Sequence, residues 1–279
     1  MIVGRRRPLR GALCVLSLLC AVVLAAPARA DNPSLLPPMV LKHVAARLAQ
    51  HLPLRILAFG SSSTEGVGAS SPAASYPSCL LKELTGLLPA GQHVSVQNRG
   101  VGGEDADDMA KRLPAVIAEH PDLIIWQTGS NDALRNVPVD RFLDETVAGV
   151  RAIRAAHIDL MLMEPQLSKE LDGKSVTTRY RDTLRAIGAA MEVPVIRRYD
   201  LMRGWLADGS LTSAQMLSPD GLHMADGGYA KLAEVVADDI LRDAASPRIA
   251  AAGGFGHPSL VKGVHQVGLT TTELHAAPK

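Results

Sequence analysis

Residues 54–66 read LRILAFGSSSTEG, an apolar run that leads into a turn of small residues. The apolar residues are continuous rather than alternating with polar ones, which is typical of a strand covered on both faces. Four more short apolar runs follow, at 93–97, 123–127, 160–163 and 193–197. Together they predict five strands, of which residues 54–59 form the first.

Segments with helical periodicity separate these strands. Apolar residues recur at intervals of three and four in three of the segments: Leu143, Val147 and Val150; Tyr180, Leu184, Ile187 and Met191; and Tyr229, Leu232, Ala233, Val236 and Ile240. The alternation predicts an α/β fold of three layers, with a flavodoxin-like, open and mainly parallel sheet of about five strands between helices. In such sheets the reactive groups gather in the loops that follow the carboxyl ends of the strands.

The first thirty residues differ from the rest of the chain in charge. They hold five arginines and no acidic residue, with an apolar run from Gly11 to Ala26 and small residues at Ala28 and Ala30. This pattern predicts a signal peptide that is cleaved near Ala30, and export of the protein to the periplasm or the medium. A membrane anchor is the alternative, but the apolar run is shorter than the roughly 20 residues that a spanning helix needs. The run GRRRPLR at 4–10 also partly resembles a twin-arginine signal.

Cleavage changes the composition of the chain. The full sequence has 29 basic and 28 acidic residues, a net charge of +1, and without residues 1–30 the balance becomes 24 to 28. No basic excess remains to indicate nucleic-acid binding. Cys79 becomes the only cysteine, so no internal disulfide can form. We expect a Pro-rich lead-in at 31–53, one domain without a membrane span at 54–245, and a flexible tail at 246–279.

The loop after the first strand contains three consecutive serines, Ser61, Ser62 and Ser63. A serine here would be exposed at the end of the strand, close to the backbone N–H groups of a helix terminus. An ordinary turn or a phosphate cradle would also fit this composition. A Walker-type phosphate loop would not, because no Gly-Lys-Ser/Thr follows.

Three other segments carry polar groups and glycines. The second strand is followed by a predicted loop, NRGVGGE, at 98–104, the third by GSND at 129–132, and the final helix is preceded by DGLH at 220–223. A histidine three residues after a carboxylate can have one ring nitrogen fixed by it while the other acts as a base. Metal binding by His223 is not favoured, because no second His or Cys lies at ligand spacing. We expect neither a metal nor another cofactor.

Taken in this order, the four segments resemble the SGNH hydrolase superfamily, also called the GDSL esterase and lipase family, over roughly residues 54–242. The family's first block, F-G-D-S-x-T-x-G, matches residues 59–66 except that Ser61 replaces the aspartate. Three further blocks of the family also match this sequence. They are N-x-G-x-x-G at 98–103, G-x-N-D at 129–132, and D-G-x-H at 220–223 with a later Gly-Tyr at 228–229.

The resemblance implies a role for each matching residue. Ser62 would be the nucleophile, His223 the base that takes its proton, and Asp220 the group that orients the imidazole. The oxyanion hole would comprise the backbone N–H groups of Ser62 and Gly103 and the side-chain amide of Asn131. The reaction would be acyl transfer through a covalent acyl-serine that water releases.

Three functions follow as hypotheses. The first is an exported serine esterase that hydrolyses acyl or acetyl esters of a small molecule or a glycan. The alternative is an extracytoplasmic O-acyltransferase that uses the same site to acylate a glycan, and the third is a non-catalytic module that binds carbohydrate or lipid. Because Tyr76, Trp126, Tyr180 and Trp205 are few for a sugar-binding cleft, small or acyl-chain substrates are favoured over a long glycan. The sequence does not indicate an oligomeric state.

Two loops, 164–176 and 208–219, are expected to border the site and to influence its specificity. Leu206, Leu211, Met216 and Leu217 lie in or next to the second loop. They would line an acyl pocket or, equally well, pack as ordinary core residues.

Overall fold

Five parallel strands form one sheet in the computed structural model, which describes residues 41–245. The strands are β1 (Leu54–Gly60), β2 (Val94–Gly100), β3 (Leu123–Gln127), β4 (Asp159–Met163) and β5 (Val195–Ile196). Their order across the sheet is β2-β1-β3-β4-β5, the flavodoxin-like arrangement. The predicted fold class is therefore confirmed. The proposed signal peptide, the tail and most of the lead-in lie outside the described residues.

Helices cover both faces of this sheet. They are α1 (Lys42–Ala49), α2 (Ser62–Glu65), α3 (Tyr76–Leu87), α4 (Ala106–Ala118), α5 (Ser130–Arg135), α6 (Val139–Ala155), α7 (Lys169–Asp172), α8 (Thr177–Met191), α9 (Arg198–Ala207), α10 (Ser213–Met216) and α11 (Asp226–Ala244). The three helices predicted from apolar periodicity are α6, α8 and α11.

Strand β1 supplies side chains to two separate cores. Leu54, Ile56 and Ala58 face the core formed with α1, α3, α9 and α11, whereas Leu57 and Phe59 face the core formed with α4, α6 and α8. Successive side chains of a strand point to opposite faces, so a strand between two cores must be apolar at nearly every position. This requirement explains the continuous apolar run in the sequence.

Two local expectations differ from the structure. Residues 98–100 were predicted to begin a loop, but they continue β2, and Gly100 pairs with Gly60 of β1. Their polarity reflects the position of β2 at the edge of the sheet, where its side chains are only partly buried. Helix α1 was not predicted, since residues 31–53 were expected to be a lead-in. The first turn of α1 is anchored to β4, because a carboxylate oxygen of Asp159 accepts hydrogen bonds from the N–H groups of His43 (2.7 Å) and Val44 (3.0 Å).

No helix within residues 41–245 is long and apolar enough to cross a membrane.

Gly149 of α6 allows that helix to lie directly against β3. A Cβ atom at this position would lie 2.6 Å from Cζ3 of the fully buried Trp126. We expect Gly149→Ala to lower the free energy of unfolding by about 1–3 kcal/mol, because neither the helix nor the indole has room to move. Chaotrope-induced unfolding measures this change.

Gly204 of α9 provides the matched control. It is exposed, and a Cβ atom there would meet no atom within 4 Å. Gly204→Ala should therefore raise the free energy of unfolding by up to about 1 kcal/mol, the helix-propensity difference between the two residues. Equal effects of the two substitutions would contradict the packing assigned to Gly149.

Candidate active site

Ser62, His223 and Asp220 form a continuous chain of hydrogen bonds at the carboxyl edge of the sheet. Ser62 is the first residue of α2, directly after β1, and the other two lie in the loop before α11. The Ser62 Oγ atom lies 2.8 Å from His223 Nε2, although the two residues are 161 positions apart. His223 Nδ1 lies 2.6 Å from an Asp220 carboxylate oxygen. The fold thus brings together the three residues that the sequence analysis selected.

The Asp220 carboxylate is surrounded by donors. Its second oxygen accepts hydrogen bonds from the Ser218 hydroxyl (2.6 Å) and from the backbone N–H groups of Leu222 and His223 (both 2.9 Å). Desolvation by itself would raise the pKa of Asp220, but these bonds and the imidazole together hold that pKa well below its usual range. Asp220 is therefore ionised at any pH at which the protein is expected to work.

An ionised carboxylate can only accept hydrogen bonds, so it fixes the tautomer of the imidazole. His223 Nδ1 must carry the proton that faces Asp220, which leaves the Nε2 lone pair directed at the Ser62 hydroxyl. This arrangement can accept the serine proton.

The loop that carries His223 packs closely on the segment after α2. Gly68 has a φ of +90°, and a Cβ atom there would lie 3.0 Å from the Cβ of His223 and 3.1 Å from that of Ser218. The loop also closes on itself, because the Ser218 N–H donates to the His223 carbonyl (2.9 Å). A side chain at position 68 would therefore clash with the loop that carries His223.

The neighbouring serines have different surroundings. Ser61 donates to the side-chain oxygen of Gln127 through both its N–H (3.0 Å) and its hydroxyl (3.1 Å), and Thr64 Oγ1 donates to the same oxygen (3.2 Å). Ser61 and Ser63 are buried. Ser62 alone of the three serines is hydrogen-bonded to His223.

The glycine-rich loop after β2 approaches the candidate nucleophile. A Cβ atom on Gly102 would lie 3.8 Å from the Cβ of Ser62, and Gly103 has a φ of +82°. The N–H groups of Ser62 and Gly103 make no hydrogen bond to any residue from 41 to 245. Asn131 donates one amide hydrogen to the Glu104 carbonyl (2.7 Å) and has a second hydrogen to offer. All three predicted oxyanion donors are thus near this edge of the sheet.

Helix α5 holds that loop in place through a residue that the sequence analysis missed. Arg135 donates to the Gly103 carbonyl (2.7 Å) and to the Asp105 carboxylate (2.6 Å), while Asp132 accepts from the Ala106 N–H (3.1 Å). Arg135 lies four positions after Asn131, so both side chains fall on one face of the helix. That spacing was the available signal, but an exposed arginine on a helix is too common to indicate a role.

The residues that were weighed as an acyl pocket mainly serve the core. Met216 is fully buried, and Leu211 and Leu217 pack against the same core, while Leu206 is exposed. Core packing therefore accounts for Met216 and Leu217, whereas Leu211 also lines a cavity that borders Gly68.

Within residues 41–245, one group of three acidic side chains has oxygens close enough together to share a cation. The group lies in α4 and just before it. Its members are Asp105, Asp107 and Asp108. Each already pairs with a basic side chain, Arg135 or Lys111.

Comparison with known proteins identifies the family. The model of the Non-GDSL lipase-like family matches residues 27–246. The chain belongs to the Non-GDSL lipase-like family. Membership and fold together confirm the predicted relationship to the SGNH hydrolases and the predicted enzyme class, a carboxylic ester hydrolase.

Several proteins resemble this member of the family. An arylesterase of Vibrio mimicus is 23% identical over 157 residues, which are 56% of this chain and 74% of that protein. A lipase/acylhydrolase structure from Enterococcus faecalis is 26% identical with a TM-score of 0.57, and the match covers 67% of this chain and 95% of that one. An acetylxylan esterase from Geobacillus stearothermophilus shares the fold at 19% identity and a TM-score of 0.55, covering 68% and 94%.

Asp132 should make the stability of the protein depend on pH. It is 1% exposed, and burial raises its pKa from 3.8 to about 6. Between pH 4 and pH 6, roughly, Asp132 keeps its proton in the folded protein and releases it in the unfolded chain. The free energy of unfolding therefore falls as the pH rises through this range. Asp132→Asn should remove that decrease, which amounts to at most about 3 kcal/mol. Unfolding at a series of pH values measures it, and an unchanged slope would assign the effect to another group.

Proposed function

We propose that the protein is an exported serine esterase in which Ser62 is the nucleophile, His223 the general base and Asp220 its orienting carboxylate. The observation that carries this proposal is the unbroken hydrogen-bonded chain from the Ser62 hydroxyl through the imidazole to the ionised Asp220. Family membership supplies the reaction class, the hydrolysis of carboxylic esters.

The proposed reaction begins when the Ser62 oxygen attacks the ester carbonyl carbon and its proton passes to His223 Nε2. The carbonyl oxygen becomes an oxyanion that accepts hydrogen bonds from the N–H groups of Ser62 and Gly103 and from the amide of Asn131. One such donor is typically worth on the order of 3 kcal/mol in the transition state. His223 then gives the proton to the departing alkoxide, and water, activated by the same imidazole, releases the acyl group from Ser62.

Exposure of the side chains around the site supports a small or acyl-chain ester as the substrate. Trp126, Tyr76, Tyr180 and Trp205 are all buried, so none offers a platform for a sugar ring. In contrast, two valines next to the site are exposed: Val67, whose N–H donates to the Ser62 carbonyl (3.0 Å), and Val101, beside Gly102. An acyl group that lies against these exposed apolar side chains would gain hydrophobic contact. A panel of esters graded by acyl length measures this preference.

The same acyl-enzyme could deliver its acyl group to a sugar hydroxyl, as in the acyltransferase alternative. Hydrolysis of a p-nitrophenyl ester with and without a polysaccharide acceptor separates the two. If the acceptor becomes acylated and less free acid is released, the acyltransferase alternative replaces the esterase proposal. Lack of turnover and lack of labelling by a fluorophosphonate would instead favour a binding module.

Ser62→Ala should lower kcat for a short acyl ester by at least about 10⁴-fold and abolish fluorophosphonate labelling, because it removes the group that forms the covalent intermediate. Mass spectrometry of the labelled wild-type protein should locate the adduct on Ser62.

The adjacent serines are the matched controls for this substitution. Ser63→Ala should retain most of the activity. Ser61→Ala should also retain most of it and lose about 1 kcal/mol of stability with the hydrogen bond to Gln127. Loss of labelling in Ser61→Ala, with labelling retained in Ser62→Ala, would show that the nucleophile is misassigned.

We also propose that the protein is exported after cleavage near Ala30. The support is the order of a cationic start, an apolar run and small residues within positions 1–30. When the full chain is expressed in a secreting bacterial host, the product in the periplasm or medium should begin near Asp31. Intact-mass measurement gives the answer, and full-length protein confined to the membrane fraction would favour an anchor.

A further inference from the structure

Gln166 lies at the centre of a buried polar network that connects three parts of the candidate site. It is 1% exposed and follows β4 by three residues. Its side-chain oxygen accepts hydrogen bonds from Arg198 Nη2 (2.7 Å) and from the Ser130 hydroxyl (3.0 Å), and its nitrogen donates to the Leu222 carbonyl (3.0 Å). Ser130 directly precedes Asn131, and Leu222 directly precedes His223.

The orientation of this carboxamide is dictated by Arg198. A guanidinium has donors only, so the side-chain oxygen of Gln166 must face it and the amide nitrogen must point the other way. Arg198 is itself fully buried and donates to the Glu164 carbonyl through Nε (3.1 Å). Burial lowers its pKa to about 10, which still leaves it charged at neutral pH. One amide hydrogen of Gln166 is thus donated to the Leu222 carbonyl.

The peptide that follows this carbonyl carries His223. Contacts within the loop, from Asp220 and Ser218, fix its internal shape but not its position relative to α5 and β4. The hydrogen bond from Gln166, three residues after β4, connects the loop to the sheet.

We propose that Gln166 is a positioning residue, which holds the His223 loop at the distance from Ser62 that proton transfer needs. The inference rests on the proposed function, because it assigns the base to His223. Gln166 does not contact the reacting atoms. It acts through the Leu222 carbonyl on one side and through Ser130, the neighbour of Asn131, on the other.

Gln166→Glu tests the proposal with little change of shape. One carboxylate oxygen retains the bonds to Arg198 and Ser130, and the buried guanidinium compensates the new charge, so the fold should be kept. The other oxygen faces the Leu222 carbonyl, acceptor against acceptor, and should displace the His223 loop. A misplacement of about 1 Å can cost on the order of 100-fold in rate.

We therefore expect kcat to fall by about 10- to 100-fold while KM stays within about threefold, since substrate binding is untouched. The rate of fluorophosphonate labelling at Ser62 should fall in parallel, and the Tm should stay within about 3 °C of the wild type. Gln92→Glu is the matched control, because Gln92 also donates to a backbone carbonyl, that of Leu52 (2.6 Å), at the opposite end of β1. It should leave kcat unchanged.

Two results would overturn the proposal: a folded Gln166→Glu protein with kcat within about threefold of the wild type, or an equal loss of kcat in Gln92→Glu. If Gln166→Glu does not fold, Gln166→Asn is measured in the same way, because its shorter amide cannot reach Arg198 and Leu222 together. Gln166→Asn should show the same loss of kcat. A folded Gln166→Asn protein with unchanged kcat would also overturn the positioning role of Gln166. Activity that persists in Ser62→Ala would instead refute the proposed function.

Discussion

The parallel pairing of β1 with both β2 and β3 is the constraint on which the candidate site depends. Because the strands run in the same direction, their carboxyl ends meet at one edge, and Gly60 of β1 pairs with Gly100 of β2. The chain order reverses around β1, which leaves a crevice at that point for a ligand. Ser62, Gly103 and Asn131 each follow one of these three strands.

His223, the proposed base, reaches this edge by a different route. His223 follows no strand of the sheet, and its loop is located by α11, which packs into the core beneath α3. The Tyr229 hydroxyl donates to the Val67 carbonyl (2.6 Å), and Asp226 accepts from the Ser70 N–H (2.7 Å). These bonds connect the start of α11 to the segment after Ser62. The distance between His223 and Ser62 therefore depends on side-chain hydrogen bonds, whereas Ser62, Gly103 and Asn131 each follow a strand of the sheet.

The serine at position 61 and the glutamine at position 127 are matched as donor and acceptor. The Gln127 oxygen receives three hydrogen bonds in a fully buried position, and two of them come from Ser61. An aspartate at position 61 would place a carboxylate in this buried position, with the desolvation cost of a buried charge. The departure from the GDSL block thus removes a charge from the turn and replaces it with neutral hydrogen bonds.

The sequence was sufficient for features that depend on local pattern. Continuous apolar runs predicted the five strands, and the resemblance of four motifs to the SGNH hydrolases predicted the residues that the fold brings together around Ser62. It was insufficient where tertiary contacts decide. The predicted end of β2 at Gln97 was wrong, because the polar residues Asn98 and Arg99 continue the pairing with β1 at the edge of the sheet. Gln166 and Arg135 lie in no motif, since their importance arises only from the carbonyl groups that folding brings to them.

Two carboxylates near the site show why burial alone does not reveal which one can orient His223 in the proposed mechanism. Asp132 is nearly inaccessible and has one backbone donor from outside its own helix turn, so desolvation dominates and its pKa rises. The Asp220 side chain is 43% exposed, yet its oxygens collect donors from a hydroxyl, an imidazole and two backbone N–H groups, and its pKa falls. An orienting carboxylate must keep its charge when the imidazole gains a proton. The tight turn of the DGLH segment brings several donors to the Asp220 carboxylate, and these donors keep it charged.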